Sequence, residues 1–118
     1  MSADVQFVLE LAIAAGGLDA FKECAKLAVA LVGAAEPETV AYRWFLNADE
    51  TKSYIIEWYP NADVIPAHLA LVGPTLGEML KVSQITRFEV FGDLSAEAKG
   101  ALEAAGAATY GAWIGFTR

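Results

Sequence analysis

Residues 39–47, TVAYRWFLN, and residues 51–59, TKSYIIEWY, decide the fold of this chain. Both stretches are rich in β-branched and aromatic residues, and a short polar turn at Ala48, Asp49 and Glu50 joins them, so they read as a β-hairpin. Val40, Tyr42, Trp44 and Leu46 share one face of the first strand, and Ala41, Arg43 and Phe45 share the other. In the second strand Tyr54, Ile56 and Trp58 alternate with Ile55, Glu57 and Tyr59. A strand with one wet face alternates apolar with polar residues. Here apolar side chains point both ways, so both faces of the sheet should be covered, one by the chain's own helices and the other by a partner.

Outward from the hairpin, Val5 to Ile13 alternates as a strand, which Gly16 and Gly17 end. Leu18 to Ala35 carries Leu18, Phe21, Ala25, Ala28 and Leu31/Val32 at helical spacing, with Gly33 and Pro37 bracketing its end. Beyond the hairpin, Asn61 or Asp63 can cap a second helix through Val64, His68, Leu69 and Val72, with Pro66 in its first turn. Gly73-Pro74 is expected to interrupt it, leaving a further helical turn or two from Thr75 to Lys81. Ser83 to Phe91 reads as a fourth strand, Ser95 as the N-cap of a third helix, and Thr109 to Thr117 as a fifth strand.

The order β-α-β-β-α-β, then α-β, matches the split βαβ pattern: an α+β, ferredoxin-like antiparallel sheet with helices on one face and an extra C-terminal helix and strand. The expected layout is one domain over 1–118, with a core at about 5–91 and an extension over 93–118. Grouping by alternation assigns Phe7, Leu9, Tyr42, Trp44, Tyr54, Ile56, Trp58, Phe88 and Val90 to the helix side. Val8, Glu10, Arg43, Phe45, Ile55, Glu57, Tyr59, Ile85, Arg87, Glu89 and Phe91 then form the other side. Half apolar and half charged with both signs, that second side has the composition of a homodimer interface with internal ion pairs.

Composition narrows the function. The 118 residues are 56% apolar, more than one small core needs, which argues for oligomer burial or an apolar pocket. The net charge is −7 with no Lys/Arg stripe, so nucleic acid is not expected as a partner. The long uncharged run Val64 to Gly77 is too short for a membrane span and contains Pro66 and Pro74. With no basic-then-apolar leader at the N-terminus, the expected location is the cytoplasm. Cys24 is the only cysteine and reads as a small buried apolar residue. No Gly-rich phosphate loop, no Ser/His/Asp order and no metal-spaced set of His, Asp and Glu stands out, so neither a cofactor nor a metal is expected.

The pattern resembles the antibiotic biosynthesis monooxygenase superfamily of dimeric α/β barrels. The residues that carry the likeness are Gly17 ahead of a helix with Phe21, Glu36-Pro37, Tyr42, Asp49 in the hairpin turn, Ile56-Glu57-Trp58-Tyr59, and Ala67-His68. The resemblance covers roughly residues 5 to 91, and the segment from Ser95 onward extends beyond the minimal domain. It implies homodimers paired sheet on sheet, and oxidation of quinols or phenols by dioxygen without metal or flavin. Some relatives bind and degrade haem, and others have no established activity.

Candidate site residues follow. His68, the only histidine, is a base poised near neutral pH for a phenolic proton, although spacing reveals no orienting partner for it. Tyr42 and Tyr54 offer hydroxyls beside it. Trp44, Trp58 and Phe7 could line an aromatic pocket for a small aromatic ligand. The mid-strand charges Glu10, Glu57, Glu89, Arg43 and Arg87 read as mutual partners in an interface.

Overall fold

The computed structural model describes residues 3–118. Its elements run β1 (Val5–Ile13), α1 (Leu18–Ala35), β2 (Ala41–Leu46), β3 (Lys52–Tyr59), a 3-10 turn (Ala62–Val64), α2 (Ile65–Met79), β4 (Ser83–Phe91), α3 (Ala96–Ala104) and β5 (Ala108–Tyr110). The sheet order is β2-β3-β1-β4-β5. The first four strands are antiparallel, and β5 joins β4 in parallel. This is the split βαβ topology with one strand added at an edge.

Local chemistry explains the boundaries. β1 ends where Gly16, at φ 79°, turns the chain into α1. Gly17 follows because a Cβ there would come within 2.8 Å of Val82 Cβ, at the close approach of the β1–α1 turn to the start of β4. In the hairpin, Asn47 Oδ1 accepts from the backbone N–H groups of Thr51 and Lys52, so a side chain closes the turn. Asn61 Oδ1 accepts from Asp63 N and starts the 3-10 turn, and Ser95 Oγ accepts from Ala98 N and starts α3.

Helices α1 and α2 lie side by side over one face of the sheet. The core between the layers holds Val5, Phe7, Leu9, Leu11, Phe21, Ile55, Tyr59, Met79 and Val90, with Leu102 of α3 closing one end. Phe7 sits at its centre, edge-on to both Tyr59 and Phe88. Burying a side chain such as Phe21 contributes about 2–3 kcal/mol, so a dozen of them outweigh any single polar contact in holding the layers together. Cys24 packs at the margin of this core, half-buried.

Three expectations need correction. First, Pro74 does not break the second helix: α2 runs unbroken to Met79. Pro74 and Ala70, whose carbonyl loses its partner, both lie on the exposed face, where water can take the free carbonyl. Second, the face grouping is inverted on β3. Pairing sets Val5 opposite Tyr59, Phe7 opposite Glu57 and Leu9 opposite Ile55, so Ile55, Glu57 and Tyr59 face the helices. Tyr54, Ile56 and Trp58 face away. Aromatic weight favoured the wrong trio, and strand register overrode it. Ile85 also faces the helices, because a bulge shifts the β1–β4 register between Glu10 and Leu11. Third, the last strand ends at Tyr110. Beyond it Trp113, Ile114 and Phe116 are 93%, 83% and 79% exposed rather than paired.

Candidate active site

The helix-facing side of the sheet carries one polar cluster, and three elements converge to make it. Glu36 is the C-cap of α1, where the following Pro37 stops the helix and lets the side chain swing toward α2. Thr39 Oγ1 donates to Glu36 Oε1 at 2.8 Å and fixes the carboxylate's orientation. Glu57 stands mid-strand on β3, its face set by pairing with Phe7. His68 lies in the first turns of α2, aimed down at the sheet and 2% exposed.

His68 joins the two carboxylates. Its Nδ1 is 2.8 Å from Glu36 Oε2 and its Nε2 is 3.1 Å from Glu57 Oε1. Glu57 Oε1 also accepts from the Tyr59 hydroxyl. An ionised carboxylate only accepts, so the ring satisfies both neighbours only as an imidazolium donating from both nitrogens. Burial works against that charge and is the largest single influence on it. The hydrogen bonds and charges of Glu57 and Glu36 together outweigh it, and the net shift of the His68 pKa is upward. With the ring protonated between two ionised carboxylates, the unit Glu36–His68–Glu57 carries one net negative charge in a largely apolar setting. Burial, followed by the charges on Glu57 and Glu36, raises the Tyr42 hydroxyl far above the usual phenol range. Burial, then the charge on Glu57 and the hydrogen bond to it, raise Tyr59 further, so both tyrosines stay neutral donors.

Glu57 and His68 of this unit line a cavity of about 280 Å³ between the sheet and α2, which Leu102 and Ala105 line as well. Phe7, Leu9, Ile55 and Phe88 form its floor, and Leu69, Val72 and Met79 its roof. His68, Tyr42 and Trp44 stand in sequence along one wall, with ring centroids 5.6 Å and then 5.9 Å apart. The volume lies at the small end of ligand pockets and suits a molecule of one or two rings.

The sequence candidates divide accordingly. His68, Tyr42, Trp44 and Phe7 come together around the cavity. Tyr54 and Trp58 do not: they lie on the opposite face, where Tyr54 donates to Glu10 and Trp58 Nε1 donates to Asp4 Oδ2 at 2.7 Å. Glu36 and Glu57, the partners of His68, were missed in those roles. A mid-strand glutamate flanked by apolar residues on a central strand was the available signal, and it had been assigned to an interface. Among the described residues no group of three or more His, Cys, Asp or Glu side chains could hold a metal ion, and no helix is long and apolar enough to cross a membrane.

No protein-family model matches the sequence, and no curated protein does. Solved structures do resemble it. MupZ from Pseudomonas fluorescens aligns over 100% of this chain and 91% of its own, with a TM-score of 0.86 at 22% identity. SnoaB, a cofactor-independent oxygenase from Streptomyces nogalater, aligns over 80% of this chain and 96% of its own, with a TM-score of 0.65 at 18% identity. The "putative antibiotic biosynthesis monooxygenase" of Caulobacter crescentus aligns over 75% of this chain and 88% of its own, with a TM-score of 0.65 at 17% identity. MupZ therefore matches through the C-terminal helix and tail, while the other two match a shorter part. At these identities the likeness is one of architecture, and the chain has the fold of the antibiotic biosynthesis monooxygenase superfamily.

Proposed function

We propose that this protein is a cofactor-independent monooxygenase acting on a small phenol- or quinol-like molecule held in the cavity. The observation that carries the reading is a buried histidine strung between two carboxylates at the polar end of an otherwise apolar chamber. Such a unit is built to move a proton, and perturbed groups of this kind concentrate at active sites. A phenol seated against Glu57 and His68 passes its proton to the Glu36–His68–Glu57 unit. The unit goes from one net negative charge to none, and the substrate becomes a phenolate. A phenolate gives an electron to dioxygen far more readily than a phenol. Recombination of the radical pair forms a carbon–oxygen bond. Loss of water, with the unit returning its proton, leaves a quinone: phenol plus dioxygen gives quinone plus water. Tyr42, held neutral, donates to the developing oxyanion. SnoaB's description as a cofactor-independent oxygenase is consistent with this chemistry.

The same unit would equally serve a proton transfer that needs no oxidant, or a site that only binds an acidic ligand. An oxygen electrode separates them. Uptake above buffer with a panel of quinols and phenols, lost in His68→Ala, supports the oxygenase. Ligand binding with no uptake leaves the binding-domain reading. Haem degradation is disfavoured, because both ring nitrogens of His68 are engaged by carboxylates and iron would have to displace one.

The functional unit in this reading is a homodimer through the open sheet faces. Phe45, Ile56 and Phe91 there are 36–39% exposed, interleaved with Arg43, Glu10, Arg87 and Glu89. A self-complementary face of this kind is what a twofold interface requires. Light scattering at micromolar concentration checks it, and a monomer would sink it.

A further inference from the structure

Three side chains make up the buried relay, and one of its atoms is left free to take a proton. Both ring nitrogens of His68 are engaged: Nδ1 lies 2.8 Å from Glu36 Oε2, and Nε2 lies 3.1 Å from Glu57 Oε1. A ring that donates from both nitrogens has no lone pair left to accept with. Glu36 is fully engaged as well. Its Oε2 faces His68, its Oε1 accepts from Thr39 Oγ1, and it does not line the cavity. Glu57 differs. Both of its partners, His68 Nε2 and the Tyr59 hydroxyl, converge on Oε1. No described residue hydrogen-bonds to Oε2, although Glu57 is only 5% exposed and lines the cavity. Nor is Oε2 sealed in. It is not among the partnerless side-chain atoms of the described residues that are closed even to a molecule of water.

We propose that Glu57 Oε2 is the atom that receives the ligand's proton, and that His68, Glu36 and Tyr59 are positioning residues that act through it. The inference rests on the reading of the cavity as a substrate site. It names the accepting atom within the relay and takes that role from the histidine. The ligand's O–H bond breaks, the Oε2–H bond forms, and the electron pair stays on the ligand oxygen. The two contacts on Oε1 fix the plane of the carboxylate, so Oε2 is held in place before a ligand arrives. A carboxylate base also selects among ligands. In water a carboxylic acid is roughly a millionfold stronger than an unactivated phenol, so transfer from a plain phenol runs uphill. Transfer from a hydroxyl conjugated to an electron-withdrawing group comes much closer to balance. The ligand class that suits this base is therefore a one- or two-ring phenol or enol whose hydroxyl is acidified by conjugation.

The test uses 2-naphthol, a two-ring phenol that becomes a far stronger acid on electronic excitation. Its neutral and ionised forms emit at well-separated wavelengths, and excitation to the red of tryptophan absorption selects it over the protein. With protein in excess, the bound molecule is away from bulk water, and its excited hydroxyl loses a proton only to an acceptor within hydrogen-bond reach. Bound to the native protein, it is expected to emit mainly as naphtholate. Glu57→Gln removes the acceptor and should lower the ratio of naphtholate to naphthol emission by at least about tenfold. His68→Asn should keep most of the naphtholate emission, because the carboxylate remains. Burial without a counter-charge favours a protonated carboxyl, so that variant is measured in mildly alkaline buffer, where ground-state 2-naphthol is still neutral. Should Glu57→Gln fold poorly, the native protein supplies a second readout by calorimetry. It should bind 2-naphthol at least about tenfold more tightly than 2-methoxynaphthalene, which has no proton to give. Undiminished naphtholate emission in Glu57→Gln, loss of that emission in His68→Asn, equal affinity for the naphthol and its ether, or no binding of 2-naphthol at millimolar concentration would overturn the proposal. Oxygen uptake, run in parallel, keeps the two claims apart. Naphtholate emission that depends on Glu57, without uptake from any phenol or quinol, leaves the acceptor standing and sinks the oxygenase. Uptake that Glu57→Gln does not slow does the reverse.

Discussion

Replacing Glu57 by Gln probes the buried relay directly. The change is nearly isosteric and keeps one acceptor oxygen, so it removes charge rather than volume. In the native protein Glu57 Oε1 receives hydrogen bonds from His68 Nε2 and from the Tyr59 hydroxyl. Hydrogen bonds to a charged group contribute roughly 1 kcal/mol more than neutral ones, so converting both should destabilise the fold by about 2 kcal/mol. For a domain of this length each kcal/mol moves the melting temperature by about 4 °C, giving a fall of about 8 °C near pH 6. The pH dependence makes the prediction sharper. The folded pKa of His68 is raised above its ordinary value of 6.5. Its contribution is therefore fully present below that value and is lost as the pH rises through the folded pKa. Once His68 is neutral its charge no longer distinguishes the two proteins, so the gap should shrink toward about 4 °C as the pH rises through the folded pKa of His68. Thermal melts followed by circular dichroism at several pH values measure this. A gap of constant size from acid to alkaline pH would show that His68 does not titrate against Glu57, and the relay would lose its electrostatic basis.

Further expectations concern the same site and its scaffold. His68→Ala should lower the rate with a phenolic substrate by about a hundredfold or more in stopped-flow oxygen consumption, the usual scale for disabling an acid–base unit, and full activity would remove His68 from the mechanism. Pro74→Ala should restore a hydrogen bond inside α2 and raise stability by about 1–3 kcal/mol in a urea titration; a destabilised variant would mean that the proline ring packs productively. Gly92→Ala should destabilise by at least about 1 kcal/mol, because residue 92 sits at φ 138° and a Cβ there would lie 2.7 Å from Asp4 O; unchanged thermal unfolding would contradict that close approach. Deleting residues 112–118 removes Trp113, Ile114 and Phe116, and should weaken dimerisation in analytical ultracentrifugation if that tail lies against a second copy; an unchanged association constant would place it elsewhere.

Much of the architecture was legible because it is written in local periodicity. The alternation of Val5–Ile13, the helical spacing of Phe21, Ala28 and Val32, and Ser95 as a cap all depend on neighbours a few residues away. The C-terminal segment shows the limit of that reading. Residues 109–117 alternate like a strand, but only Ala108–Tyr110 finds an edge to pair with, and pairing is a property of two segments. Gly73-Pro74 likewise reads as a break because local rules register the missing N–H, but not that it falls on the solvent side of α2.

The candidate site divides along the same line. Composition alone singled out His68, the only histidine, and placed Tyr42, Trp44 and Phe7 on the side of the sheet that α2 covers. Those identifications need only a residue count and a period of two. Which way Glu57 faces needed tertiary structure, since a strand with apolar residues on both sides has no preferred face until its register against β1 is set. The meeting of Glu36, His68 and Glu57 needed it as well. They come from the end of a helix, the start of another and the middle of a strand, up to 32 residues apart. A buried cation becomes tolerable only where the packing of three layers brings its counter-charges to it, and no pattern within a single element records that convergence.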